Sequence, residues 1–226
     1  MTQPSRTLVA GLTTGLALGL LLMGALRFAS THPGPLTSVS GYATPGYIVV
    51  TILFAIWLTR AGLPLNRLGF GIRLNWRHVG LAVLAVAILR LSSFAFEPLL
   101  EALFGGPRNL ERFSDVEGSA TGLAALLLAS WTFAAFGEEL AYRIVLLRGI
   151  AYALGDTRTA VIVALVLQAV LFGLVHSYQG TTGIVSSAVS GLVFGAVTVA
   201  ARWSIWPAAL AHGANNTFGI VALYYG

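Results

Sequence analysis

Apolar runs recur along the chain at about 7–26, 46–59, 79–104, 120–154, 159–177, 183–201 and 206–225, broken by short segments rich in Gly, Pro, Ser and Arg. A helix rising 1.5 Å per residue crosses a bilayer core in about 20 residues. The pattern therefore predicts an all-α fold, a polytopic transmembrane bundle of about seven spans, with six and eight as the bounds. The first run follows Arg6 but has no small-x-small cleavage signal, which predicts an uncleaved helix instead of a signal peptide. Between the second and third runs, RAGLPLNRLGFGIRLNWRH (60–78) is basic and broken by Pro64, as expected of an interfacial loop or short amphipathic element. GGPRNLERFSDVEGSATG (105–122) is the one clearly polar stretch and reads as a flexible linker. No repeat or second domain is visible, so N-terminal helices (1–119) and a C-terminal core (120–226) form one integrated domain, with a conical or cavity-containing centre built by the C-terminal helices.

The fourth run is too long for a simple span. About 34 helical residues cover roughly 50 Å against a core of roughly 30 Å. The helix must slide or tilt, which places Glu138 inside the membrane and makes Arg148 to Tyr152 a surface extension.

Composition fixes the setting. Of 226 residues, 57% are hydrophobic and 9% charged, too little polar surface to coat a soluble globule. The net charge of +5 comes from arginine alone, scattered through short loops. That distribution points to membrane orientation, with no nucleic-acid partner. With the N-terminus cytoplasmic, Arg6, Arg60, Arg67, Arg73, Arg77, Arg143, Arg148, Arg158 and Arg202 fall inside, and Arg27, Arg108 and Arg112 outside. The lysine-free, Ala- and Arg-rich composition resembles that of a bacterial protein, so the expected location is the bacterial inner (cytoplasmic) membrane. Without cysteine there is no disulfide, thiolate metal site or cysteine nucleophile.

Three polar constellations interrupt the late spans. In GEELAYR, Glu139 and Arg143 stand at i, i+4 with the acid first, the favourable order for an ion pair. Glu138, about 100° round the helix, is left without that partner and shares a face with Tyr142. In FGLVH, Phe172 and His176 share a face that Gln168 extends. In HGANN, His212 and Asn216 do the same. Helix-to-helix hydrogen bonding is the plain structural alternative for each of these. Together they supply the parts for hydrolysis: Glu138 as general base, His176 to place the water, His212 and Asn216 to stabilise an oxyanion. Glu139 and Arg143 would then be structural, with Tyr142 and Phe172 lining the cavity. A zinc version would use Glu138, His176 and His212 as ligands with the fourth position open to water, although no H-E-x-x-H is present. His32 and His78 receive no role.

These residues resemble the EExxxR, FxxxH and HxxxN motifs of the CPBP (Abi) family, the CAAX-processing and bacteriocin-processing intramembrane endopeptidases. SGLVFGAVTVAARWSIWPAALAH (190–212) is similar to a penultimate helix and loop of that family, and LGFGIR (68–73) to a short element upstream. The resemblance implies proteolysis within the bilayer, catalytic roles for Glu138, His176, His212 and Asn216, and structural ones for Glu139 and Arg143. It implies a hydrophobic or lipidated peptide substrate. The family has been described as both metalloprotease and glutamate protease; Asn216 suits an oxyanion role better than a ligand role, which favours no required cofactor, with zinc as the alternative. Competing readings are a non-catalytic immunity or scaffold protein of the same fold, and a proton-coupled transporter, which the lack of a repeat disfavours.

Overall fold

A computed structural model describes residues 4–32, 34–63 and 72–226. These residues form seven long helices: α1 (Arg6–Ala29), α2 (Ala43–Arg60), α3 (Trp76–Phe104), α4 (Ala120–Ala153), α5 (Arg158–Leu174), α6 (Gly180–Ala200) and α7 (Trp206–Tyr225). No strand occurs among the described residues. Five helices, α1 to α4 and α6, are long and apolar enough to cross a membrane. α5 is apolar but has 17 residues, and α7 carries His212, Asn215 and Asn216. The chain is an all-α polytopic membrane protein.

Local sequence sets the helix ends. Ser5, Ser119 and Thr157 accept hydrogen bonds from the first-turn amides of α1, α4 and α5. Asn75 and His78 close a reciprocal capping box at the start of α3, which gives His78 a structural job. Gly105, at φ 82°, ends α3 in the left-handed conformation.

The main core joins α1, α2, α4 and α5, with Leu16, Leu20, Tyr47, Leu58, Ile144 and Phe172 among its members. Residues Ala141–Leu147 of α4 are buried throughout, so the EELAYR segment runs through the centre of the bundle. Arg148–Tyr152 is not the surface extension expected. Gly149 and Ala151 are buried, Gly149 against Thr13 of α1, and the Tyr152 hydroxyl donates to the Pro4 carbonyl at 2.9 Å. α5 and α6 form a tight hairpin. A Cβ on Gly173 would stand 2.5 Å from the Ile184 carbonyl oxygen, so glycine is what permits this approach. α3 packs on α6 and α7.

Two expectations change. Ser130–Glu138 and Leu140–Leu147 are π-helical, with i→i+5 hydrogen bonds and therefore more residues per turn than the α-helix assumed from sequence. The 105–119 stretch is tied down instead of loose. The Asn109 amide donates to the Gln179 carbonyl (3.0 Å), the Gly118 amide to that of Tyr224 (3.0 Å), and the Thr182 hydroxyl to that of Gly106 (2.8 Å). Residues 64–71 lie outside the described residues, and with them most of the expected 60–78 interfacial element and of LGFGIR. From the described side, Trp206 Nε1 donates to the Ile72 carbonyl at 2.8 Å.

Candidate active site

The two carboxylates of α4 take different partners. Glu139, fully buried, meets Arg143 through two contacts. Arg143 Nη2 donates to its Oε1 at 3.1 Å, while Nε lies 2.8 Å from Oε2 in an ionic contact whose angle falls short of a hydrogen bond. Arg143 Nη1 donates to Gln168 Oε1 at 2.7 Å, and Gln168 Nε2 donates to the Gly191 carbonyl at 2.9 Å, so one guanidinium links α4, α5 and α6. Its faces are covered by Phe172 at 4.8 Å and Phe194 at 5.6 Å. Glu139 is thus more than half of a local pair, because Oε1 also lies 2.8 Å from His212 Nδ1 on α7.

Glu138 is not left without a partner. Arg27, at the end of α1, donates from Nη1 to Glu138 Oε1 at 3.2 Å. Arg27 lies 5.4 Å from the centre of the Tyr47 ring, and the Tyr47 hydroxyl donates to the Gly137 carbonyl at 3.2 Å. Helices α1 and α2 therefore hold the carboxylate that α4 presents. Oε2 has no hydrogen-bond partner among the described residues.

Each histidine has one nitrogen assigned by its surroundings. His176 Nδ1 lies 2.6 Å from the Phe172 carbonyl oxygen. A carbonyl only accepts, so Nδ1 carries the proton and Nε2 of the neutral ring is an acceptor. His212 Nδ1 faces the Glu139 carboxylate and is protonated for the same reason. Asn216 Nδ2 donates to Ser130 Oγ at 3.1 Å, which leaves its second N–H unused. Phe172 lies 4.7 Å from His176 and 5.9 Å from His212, centre to centre, and Phe194 stacks on His212 at 4.8 Å.

These groups open on one cavity of about 540 Å³, lined by Glu138, His176, His212, Asn216 and Phe172 and also by Arg27, Tyr47 and Ser130. Tyr142 does not line it. It is fully buried and packs edge-to-face on Phe172 at 4.9 Å. No three His, Asp or Glu side chains among the described residues come close enough together to hold a metal ion. Glu138, His176 and His212, the residues considered from sequence as zinc ligands, line this one cavity.

Sequence reasoning missed Arg27, Tyr47, Ser130 and Arg90. Arg27 and Arg90 carried a signal, since each is a charge within or at the end of an apolar run.

Residues 120–218 match the family model described as Rce1-like, type II CAAX prenyl endopeptidase. No curated protein and no solved structure matches the chain. The matched stretch begins at the first residue of α4 and takes in Glu138, His176, His212 and Asn216. Residues 120–218 of this integral membrane protein are thus similar to the Rce1-like model, which falls within the CPBP (Abi) family whose motifs the sequence resembles.

Proposed function

We propose that the protein is an intramembrane endopeptidase that hydrolyses a peptide bond of a hydrophobic or lipidated peptide by water activated at Glu138. The observation that carries this reading is the convergence of Glu138, His176, His212 and Asn216, from α4, α7 and the end of α5, on one cavity of about 540 Å³. Arg27 occupies one oxygen of Glu138, which fixes the carboxylate and frees Oε2 to take a proton from water. His176 Nε2, unprotonated in the neutral ring, accepts the other water proton as a hydrogen bond and orients the nucleophile. As the water oxygen bonds to the carbonyl carbon, charge moves to the carbonyl oxygen. Asn216 donates to it without any change of protonation. His212 donates from Nε2 only as imidazolium, whose charge Glu139 balances. The proton on Glu138 then passes to the departing amine. No step is routed through a metal.

Orientation with the N-terminus in the cytoplasm, within a bacterial inner membrane, completes the reading and rests on the arginine distribution. A second reading, a non-catalytic immunity or scaffold protein, draws on the Arg27–Glu138 ion pair, which a purely structural staple would also need.

Mass spectrometry of new peptide termini separates the two. Purified wild type and Glu138→Gln are compared on a pool of prenylated and hydrophobic peptides, with and without a zinc chelator. New termini from the wild type alone, unchanged by chelator, are expected. Identical patterns from both proteins would sink the catalytic reading, and loss under chelator would sink the metal-free one.

A further inference from the structure

Arg90 is the fifteenth of the 29 residues of α3, so 14 helical residues, about 21 Å, separate it from either end. A cation at the centre of a span is costly unless it faces a cavity or a partner. Arg90 faces the same cavity as Glu138. Its side-chain hydrogen bond is to a neutral group, Asn215 Oδ1, at 2.6 Å from Nη2.

No carboxylate of the protein forms an ion pair with it; Glu97, the charge that attracts it from further along α3, is itself held by Arg108. All eight acidic residues lie among the described ones. Of these, Glu138 is engaged by Arg27, Glu139 by Arg143 and His212, Glu97 by Arg108 at 3.2 Å, and Asp156 by Arg148. Glu97 and Glu101 share the cavity, but they stand seven and eleven residues further along α3, about 10 and 16 Å up the helix. Asn215 precedes Asn216, the proposed oxyanion donor, and both line the cavity, so the guanidinium, without an ion-pair partner, sits beside the proposed reacting centre.

From this we infer that Arg90 is the anion receptor of the cavity, and that its ligand is a carboxylate of the bound peptide. A guanidinium fork matches a carboxylate in two parallel hydrogen bonds. The mid-span depth argues against a lipid phosphate, which stays at the headgroup level some 20 Å away. The carboxylate is either the free C-terminus of the peptide or an acidic side chain near it; the chemistry is shared. The inference rests on the peptide-substrate reading of the cavity.

The test uses the full chain in nanodiscs of zwitterionic lipid. The probes are labelled hydrophobic peptides of one sequence, as the C-terminal free acid and as the amide, plus amidated versions with Glu or Gln near the C-terminus. Binding is read by anisotropy directly after mixing, and cleavage in the same samples by mass spectrometry. Wild type should bind a carboxylate-bearing peptide about 10- to 100-fold more tightly than its neutral twin, and Arg90→Gln should bring that ratio close to one. Arg90→Lys should keep part of it. Discrimination between acid and amide assigns the chain terminus; discrimination between Glu and Gln assigns a side chain. Equal binding of the twins by wild type, including no binding of either, overturns the inference. So does a ratio that survives in Arg90→Gln, equal loss of both twins in that variant, or an Arg90 effect that appears only with anionic lipid. Discrimination without cleavage would leave the receptor standing and sink the endopeptidase. Cleavage without discrimination would do the reverse.

Discussion

Arg143→Ala would remove the cation at the centre of the bundle. Arg143 and Glu139 are both fully buried, and breaking such a pair from one side costs about 3–5 kcal/mol because the other charge stays buried. Gln168 Oε1 would lose its 2.7 Å donor, a further penalty of about 1–3 kcal/mol. His212 still faces Glu139, which holds the total toward the lower end. A loss of about 4 kcal/mol corresponds to a fall of about 8–16 °C in Tm for a chain of this size. Thermal unfolding of the detergent-solubilised protein, followed by tryptophan fluorescence, reads it. Adding Glu139→Gln removes the stranded charge and keeps an acceptor for His212 Nδ1–H, so the double variant should recover about half of the loss. A single variant within ~2 °C of wild type, or a double variant no more stable than the single one, would refute the charge-burial reasoning.

Asn216→Ala should lower kcat by about 100- to 1,000-fold with KM little changed, as expected for a donor that acts in the transition state. Steady-state kinetics on a cleaved peptide check it, and a kcat within threefold of wild type would remove Asn216 from the oxyanion role. Gly173→Ala should cost about 1–3 kcal/mol, because the atom a Cβ would meet at 2.5 Å is a main-chain oxygen that cannot swing aside. Gly80→Ala, where nothing lies within 4 Å, serves as the control and should be neutral or stabilising in the same melting experiment.

The helices were legible because each apolar run is long, and a run of about 20 such residues has few alternatives to a buried helix. Glu139 with Arg143 and Phe172 with His176 were legible because partners four residues apart need only local geometry. Arg27 with Glu138 was not, since 111 residues separate them and only the packing of α1 on α4 brings them together. Tyr142 was misplaced for a different reason. A helical-wheel position gives the side of the helix a ring leaves from but not what receives it, and here Phe172 takes the ring edge-to-face in the core; nor does anything in SWTFAAFGE or LAYRIVLL announce the π-helical turns found there. The linker at 105–119 looked mobile because its side chains are polar, but its order comes from main-chain hydrogen bonds that composition does not record. Arg90 stood in plain view as the one arginine in the third run.

The two histidines also differ in what substitution can do to them. The proton on His176 Nδ1 is assigned by a main-chain oxygen, that of Phe172, which every amino acid at position 172 would supply. Replacing the side chain there changes packing but leaves the tautomer in place. The proton on His212 Nδ1 is assigned by Glu139, whose own position depends on Arg143 and, through it, on Gln168. One histidine thus inherits its chemistry from the backbone and tolerates drift around it. The other depends on three side chains in series, so a change at any one of them reaches the proton on His212, and a change at Arg143 or Glu139 reaches the stability of the bundle as well.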